Sequence, residues 1–348
     1  MKIHQMLPNY WYGDAIGNTV TEFKRLLNQW GYESEVFADL VHEKLSARPY
    51  REFANEPDDS LLIYHYSTGS PVNEFALEHA GRVILMYHNI TPHEFFEGYI
   101  PEAAQRCKEG RELLRKFAGK TRFAMAVSSY NEEELKSLGF TNTAIVPCII
   151  DFDRIKPTGK KMFDDGKTNI LFVGRVSPNK RHEDLIAIYR YYKEFINPDS
   201  RLILVGGYDG GGKYYTALRN LTQVWDLDGV VFTGVAPDEE LGDYFASADV
   251  FLCASRHEGF CIPLIEAMRF GVPVVALAKT AVKDTMGGEG LLFDEYDPSA
   301  MAEAIAMLKE DGALREQVIA RQKARAHDFD HSKLTENFKT VLKRAIGE

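Results

Sequence analysis

Two carboxylates eight positions apart, in Glu258-Gly-Phe-Cys-Ile-Pro-Leu-Ile-Glu266, are the residues best placed to do chemistry. A carboxylate accepts hydrogen bonds from hydroxyls, and the unpaired N–H groups of a helix start take an anion. The flanks predict a frame that delivers both. Residues 248–253 read as a short buried strand and 272–276 as the next. Pro263 suits the first helical turn, where its missing N–H would be unpaired anyway. Gly271 suits the helix end, where a left-handed residue is often needed. Glu258 therefore falls on the loop at a strand's carboxyl end, and Glu266 one turn into the following helix. A ligand with a phosphate and several hydroxyls fits that pair. Two ordinary surface carboxylates beside a helix cap are the plainer alternative.

A basic loop stands ready to meet the same ligand. The expected strand 169–173 runs into Gly174-Arg175-Val-Ser-Pro-Asn-Lys180-Arg181. Arg175 offers a planar fork of donors and Lys180 a compact charge on a flexible stem. Ligands of doubly wound sheets bind outside the strand carboxyl ends. Preorganised cations placed where charge grows on a departing phosphate lower the barrier by roughly 10²–10³ in rate for one such donor. A solvated basic loop is the competing reading.

The elements that must position these groups alternate strand with helix, which predicts parallel sheets covered by helices. Strands are expected at 3–7, 35–38, 61–65, 83–87, 123–127 and 144–147, then at 169–173, 201–205, 230–233, 249–253 and 272–276. Helical periodicity marks 18–30, 102–117, 131–138, 182–195, 214–225 and 333–345. A chain of 348 residues suits two domains. We expect 1–150 and 151–330 as the two, joined near Val146–Asp151 ahead of the polar stretch 156–167, with 331–348 as a terminal helix.

Composition narrows the classes. A net charge of −10 argues against non-specific nucleic-acid binding. Four cysteines, Cys107, Cys148, Cys253 and Cys261, form no C-x-x-C pair and no metal-ligand spacing, and Cys261 has no visible His or Cys partner nearby for a reactive thiol. Such scattered cysteines suit a reducing compartment. No window approaches the ~20 apolar residues of a spanning helix. A cytoplasmic protein is expected, peripheral at the inner membrane face if the basic stretch 102–122 meets anionic lipid rather than water.

The two-carboxylate segment resembles the E-x7-E motif of retaining glycosyltransferases of family 4, the glycosyl transferases group 1. The resemblance is sharp only in the second half of the chain. It implies the GT-B fold: α/β, two Rossmann-like doubly wound domains facing across a cleft, the terminal helix packing back on the first. In that family the first Glu sits by the donor sugar and the second holds the ribose, which carries over to Glu258 and Glu266. Gly174, Arg175 and Lys180 resemble the element that holds the donor diphosphate. His88, in Met86-Tyr-His88-Asn89, resembles a histidine that supports the reacting centre; a histidine satisfied by local backbone is the alternative. Gly259, Phe260, Cys261, Ile262, Pro263 and Leu264 fall where the family's amides meet the donor. Cys261 stands where glycine is frequent and requires an ordinary backbone conformation. Gly13, Asp14 and Gly17 match the family's glycine loop loosely, and Asp14 serves an acceptor hydroxyl or a helix cap equally well.

The implied activity is retaining transfer of a hexose from a nucleotide diphosphate sugar, a UDP-sugar first and GDP-mannose next. The acceptor would be a glycan, a lipid-linked sugar or a small molecule. A sugar-nucleotide epimerase, a phosphorylase, and a non-catalytic sugar-nucleotide-binding protein are the alternatives on this scaffold. No cofactor and no metal are expected, since Asp151-Phe-Asp153 and Asp226-Leu-Asp228 match a metal-binding D-x-D only superficially. The glycine run 206–212 does not fit G-x-G-x-x-G and is expected as a loop after a strand.

Overall fold

The computed structural model describes residues 1–160, 162–208 and 212–348. They divide into two compact units: 1–94 with 101–150 and 330–348, and 95–100 with 151–329. Among the described residues the strands form two all-parallel sheets.

The first unit holds β1 (Ile3–Tyr10), β2 (Val36–Val41), β3 (Arg48–Pro49), β4 (Leu61–Tyr66), β5 (Val83–Tyr87), β6 (Phe123–Ala126) and β7 (Thr143–Ile145), in the order β3-β2-β1-β4-β5-β6-β7. Every residue of β4 and β5 is buried. A parallel strand covered on both faces needs apolar residues on both, so these segments read as continuous runs without alternation. The helix Ala15–Gln29 covers the sheet with Val20, Phe23, Leu26 and Leu27. It opens on Asp14, whose carboxylate accepts from the Gly17 N–H at 2.5 Å. Gly17 has no room for a side chain, because a Cβ there would stand 1.9 Å from the Trp11 carbonyl oxygen.

The terminal helix His331–Ile346 belongs to this first unit. Phe338 lies flat on Phe23, ring centres 3.8 Å apart and planes within 13°. Arg122 donates to the carbonyls of Ala345 and Ile346 at 2.9 Å each. Those last-turn carbonyls have no partner inside the helix, and a guanidinium also suits the negative end of the helix dipole.

The second unit holds β8 (Thr168–Val173), β9 (Ser200–Val205), β10 (Val230–Gly234), β11 (Val250–Cys253), β12 (Val274–Leu277) and β13 (Leu291–Phe293), in the order β10-β9-β8-β11-β12-β13. After β8 the chain builds outward on one side through β9 and β10, then returns to β8's other edge with β11. This reversal of strand order makes the carboxyl ends of β8 and β11 neighbours, and it is where such sheets bind ligands. The strand β13 and the helices Pro71–Glu78, Asp238–Ser247, Ala281–Met286, Pro298–Glu310 and Gly312–Ala326 lie outside the sequence-based expectation. Six residues from within the first stretch, Phe95–Ile100, cluster with the second unit; there Tyr99 meets Tyr214 edge to face at 5.0 Å.

Among the described residues no helix is long and apolar enough to cross a membrane. Of the basic residues in 102–122, Arg111 pairs with Glu134 at 2.5 Å and Arg122 caps the terminal helix, so two of the charges serve the fold. In the glycine run 206–212, residues 209–211 lie outside the described residues, as does Lys161 of the polar stretch 156–167.

Candidate functional site

The loop after β8 and the loop after β11 are stapled together. Asn179 is the staple: its side-chain amide donates to the His257 carbonyl at 3.0 Å, and its own carbonyl accepts from the Arg256 N–H at 3.0 Å. This brings Lys180 onto Glu258. The ammonium donates to both carboxylate oxygens, at 2.6 and 2.5 Å. Glu258 keeps 6% of its side-chain surface and Lys180 22%, so the pair is largely withdrawn from water. The Glu258 N–H is fixed in turn by the Thr280 hydroxyl at 2.9 Å. Burial pulls the Lys180 ammonium's pKa down, but the Glu258 charge and hydrogen bond outweigh it, and the pKa ends raised.

The sequence anticipated both residues but not their contact. Arg175 is exposed and has no ion pair or hydrogen bond among the described residues, so its fork of donors is unoccupied. Gly174 sits at the turn out of β8 with φ +156°. Arg181 takes a left-handed conformation (φ +55°) to open the helix His182–Phe195, and its guanidinium pairs with Asp184 at 3.0 Å.

The helix Ile262–Phe270 carries Pro263 in its first turn and ends on Gly271 at φ +70°. Glu266 is buried on it, 3.4 Å from Arg154, which itself pairs with Asp238 at 2.7 Å. Burial raises the Glu266 carboxyl to about 7; Arg154 opposes the shift and Asp238 adds to it. Leu264 is fully buried in the core of the unit, and Phe260 packs edge to face on Phe329 at 5.6 Å while its carbonyl accepts from the Thr285 hydroxyl. Gly259, Ile262 and Pro263 remain partly exposed beside them.

Cys261 departs from the sequence reading twice. Its backbone is left-handed (φ +64°, ψ +66°), the conformation a glycine would take without penalty. It also has a thiol partner, Cys253 at the end of β11. The two thiols and the Glu258 carboxylate bring their ligand atoms within 4.8 Å of one another, a spacing that a metal ion fits. Linear spacing hid this group because its members come from a strand end, a loop and a helix cap. The Lys180 ammonium already supplies positive charge at the Glu258 carboxylate. The hydrogen bond with Cys253, burial and the Glu258 charge push the Cys261 thiol well up.

On the first unit, His88 follows β5 directly and is half-buried. It is not satisfied by local backbone through its ring: Nε2 lies 2.8 Å from His65 Nδ1, and His65 Nε2 lies 3.0 Å from Gln5 Oε1. Burial brings the His88 pKa down to about 3. Gly13 (φ +84°) and Asp14 are exposed in the loop after β1, and the Asp14 carboxylate is engaged as a helix cap. Asp151 caps a short 3-10 turn and Asp228 pairs with Lys193 at 2.9 Å, so each D-x-D run has a structural use. Asn179, Thr280, Arg154, His65 and Gln5 escaped the sequence reading. The residue types gave no signal, since each acts on a neighbour distant in the chain.

The family model described as Glycosyl transferases group 1 matches residues 153–325. O-antigen chain mannosyltransferase B of Escherichia coli is 30% identical over 167 residues, covering 47% of this chain and 43% of that protein. A D-inositol 3-phosphate glycosyltransferase of Kineococcus radiotolerans is 34% identical over 196 residues, covering 51% of this chain and 45% of that protein. The matched stretch thus spans less than half the length of these curated relatives. Sucrose-phosphate synthase from Thermosynechococcus elongatus superposes with a TM-score of 0.76 at 19% identity, covering 100% of both chains. HepE of Anabaena, solved in complex with UDP-glucose, also gives 0.76 at 19% identity, covering 99% of this chain and 100% of that one. The fold is GT-B, built of two parallel-sheet α/β units.

Proposed function

We propose that this chain, whose residues 153–325 match the glycosyl transferases group 1, moves a hexose, with retention, from a nucleotide diphosphate sugar to an acceptor hydroxyl. A UDP-sugar is the first choice of donor and GDP-mannose the second; the acceptor is a glycan, a lipid-linked sugar or a small molecule. The observation that carries this reading is the buried Lys180–Glu258 pair at the joined carboxyl ends of β8 and β11, with Glu266 buried on the next helix.

Each group has a role that its chemistry supports. Arg175 and Lys180 neutralise the leaving diphosphate. Lys180 has three N–H donors, so it can keep one on Glu258 while turning another to a phosphate oxygen. Glu258 accepts from hydroxyls of the donor sugar, and Glu266 from the ribose. The amides of 259–264 and of the Gly13–Gly17 loop line the donor and acceptor, and His88 takes a sugar hydroxyl. Retention then follows by attack on the face the diphosphate leaves, with that phosphate receiving the acceptor's proton. The cations in this scheme are the protein's own side chains, and no metal has a part in it.

The test is donor binding and turnover with UDP-glucose and GDP-mannose. One of them should raise the melting midpoint by mass action, and Glu258→Ala should cut its turnover by roughly 10²-fold or more while the fold persists. Lys180→Ala should weaken binding of the diphosphate far more than of the bare nucleoside. Equal losses for both ligands would refute the clamp.

A further inference from the structure

Gln5, His65 and His88 place polar side chains on one face of the first sheet. Gln5 and His65 are fully buried. Gln5 pairs across β1 and β4 with Ile63, and His65 pairs across β4 and β5 with Met86. Side chains alternate along a strand, so Gln5, His65 and His88 share a face, each two residues further toward the carboxyl edge than the last.

Their hydrogen bonds run in one direction only. The Gln5 side-chain N–H₂ donates to the Val20 carbonyl at 3.0 Å. Turning that amide over would set oxygen against oxygen, so Oε1 must face His65. An amide oxygen only accepts; His65 Nε2, 3.0 Å away, therefore carries the proton. His65 is neutral, because burial and the neighbouring His88 hold its pKa well below the ordinary range. A neutral imidazole with a proton on Nε2 has a bare Nδ1. That Nδ1 lies 2.8 Å from His88 Nε2 and must accept from it. His88 is neutral as well, so its own Nδ1 is bare. Among the described residues no group is bonded to it.

We propose that Gln5 and His65 are positioning residues that lock His88 into one tautomer, leaving Nδ1 as a pure hydrogen-bond acceptor for a ligand hydroxyl. The lock excludes a phosphate oxygen, which also only accepts, as the group His88 takes. It equally denies His88 the part of proton donor to a leaving group. This deepens the proposed function: on a sugar nucleotide, the partner of His88 is one hydroxyl of the hexose.

Two measurements separate the relay from that reading. In the free protein, long-range ¹H–¹⁵N NMR with labelled histidine should find His65 and His88 protonated at Nε2 and bare at Nδ1 near neutral pH. Protonation of His88 at Nδ1 would overturn the inference whatever the substrate. The second measurement uses UDP-glucose and GDP-mannose with their mono-deoxy and mono-fluoro forms. At one sugar position the deoxy form should bind about tenfold weaker, a loss within the range seen when a hydrogen-bond partner is left unpaired. The fluoro form should lose as much, since fluorine cannot donate.

His65→Asn keeps an acceptor near the Nδ1 position and should hold both the tautomer and the tenfold preference. His65→Leu removes the acceptor, and the parent sugar should then bind no better than its deoxy form. If His65→Leu fails to fold, the wild-type spectrum and His65→Asn still decide the matter. A locked tautomer in a protein that binds neither sugar nucleotide would sink the hydroxyl assignment and the glycosyl-transfer reading together, leaving the relay standing. A locked tautomer in a protein that binds the donor with no deoxy penalty would sink the hydroxyl assignment alone.

Discussion

Replacing Lys180 with Met keeps most of the stem and removes only the charge. Glu258 would then be left with 6% of its side-chain surface exposed and without the two contacts at 2.6 and 2.5 Å. At that separation the gross attraction of the pair is about 6 kcal/mol with an effective dielectric of ~20. Desolvation cancels part of it in the intact pair. Breaking the pair from one side does not recover the desolvation cost, and a buried carboxylate abandoned in this way costs about 3–5 kcal/mol. For a unit of this size, that corresponds to a melting midpoint lower by about 6–20 °C.

Calorimetry of Lys180→Met, with Glu258→Gln and the double variant closing a cycle, measures the coupling directly. The double variant should recover most of the loss. A Lys180→Met midpoint within about 2 °C of wild type would refute the reasoning.

The remaining expectations concern one titration and two packing sites. Glu266, raised to about 7 chiefly by burial, offers both oxygens purely as acceptors to a pair of ribose hydroxyls only when ionised, so UDP-glucose or GDP-mannose affinity should climb by up to roughly tenfold from about pH 6 to 8. Calorimetric titration checks the slope, and Glu266→Gln should flatten it. In the sign of stability, this raised acid favours the fold fully below about 4.5 and loses that contribution as pH passes 7. Phe338→Ala removes the ring stacked 3.8 Å from Phe23 and should cost about 3–5 kcal/mol; hydrogen exchange should rise first in 331–346. Gly17→Ala drives a methyl to within 1.9 Å of the Trp11 carbonyl and should destabilise by at least ~2 kcal/mol, read from denaturant unfolding.

Much of the molecule was legible in its residues. The Pro263 and Gly271 punctuation framed the helix of Glu266, and continuous apolar runs marked the parallel strands, because burial on both faces leaves no alternation to read. Such runs are set by local composition and need no partner to be recognised. The helix His182–Phe195 was bounded to the residue by its own periodicity. The short strand β13 was not, since three half-buried residues carry too little pattern.

Tertiary structure alone decided who meets whom. The Lys180–Glu258 pair spans 78 positions and the Gln5–His65 bond 60, and neither spacing is visible along a chain. Cys261 looked like a small substitute for glycine, and only the fold assigned it a left-handed backbone and a thiol neighbour. The tautomer proposed for His88 is set by the Val20 carbonyl on another element, three hydrogen bonds away. Sequence specifies chemistry and local conformation one segment at a time; strand order and burial then choose the partners, and the partners set charge, protonation and geometry.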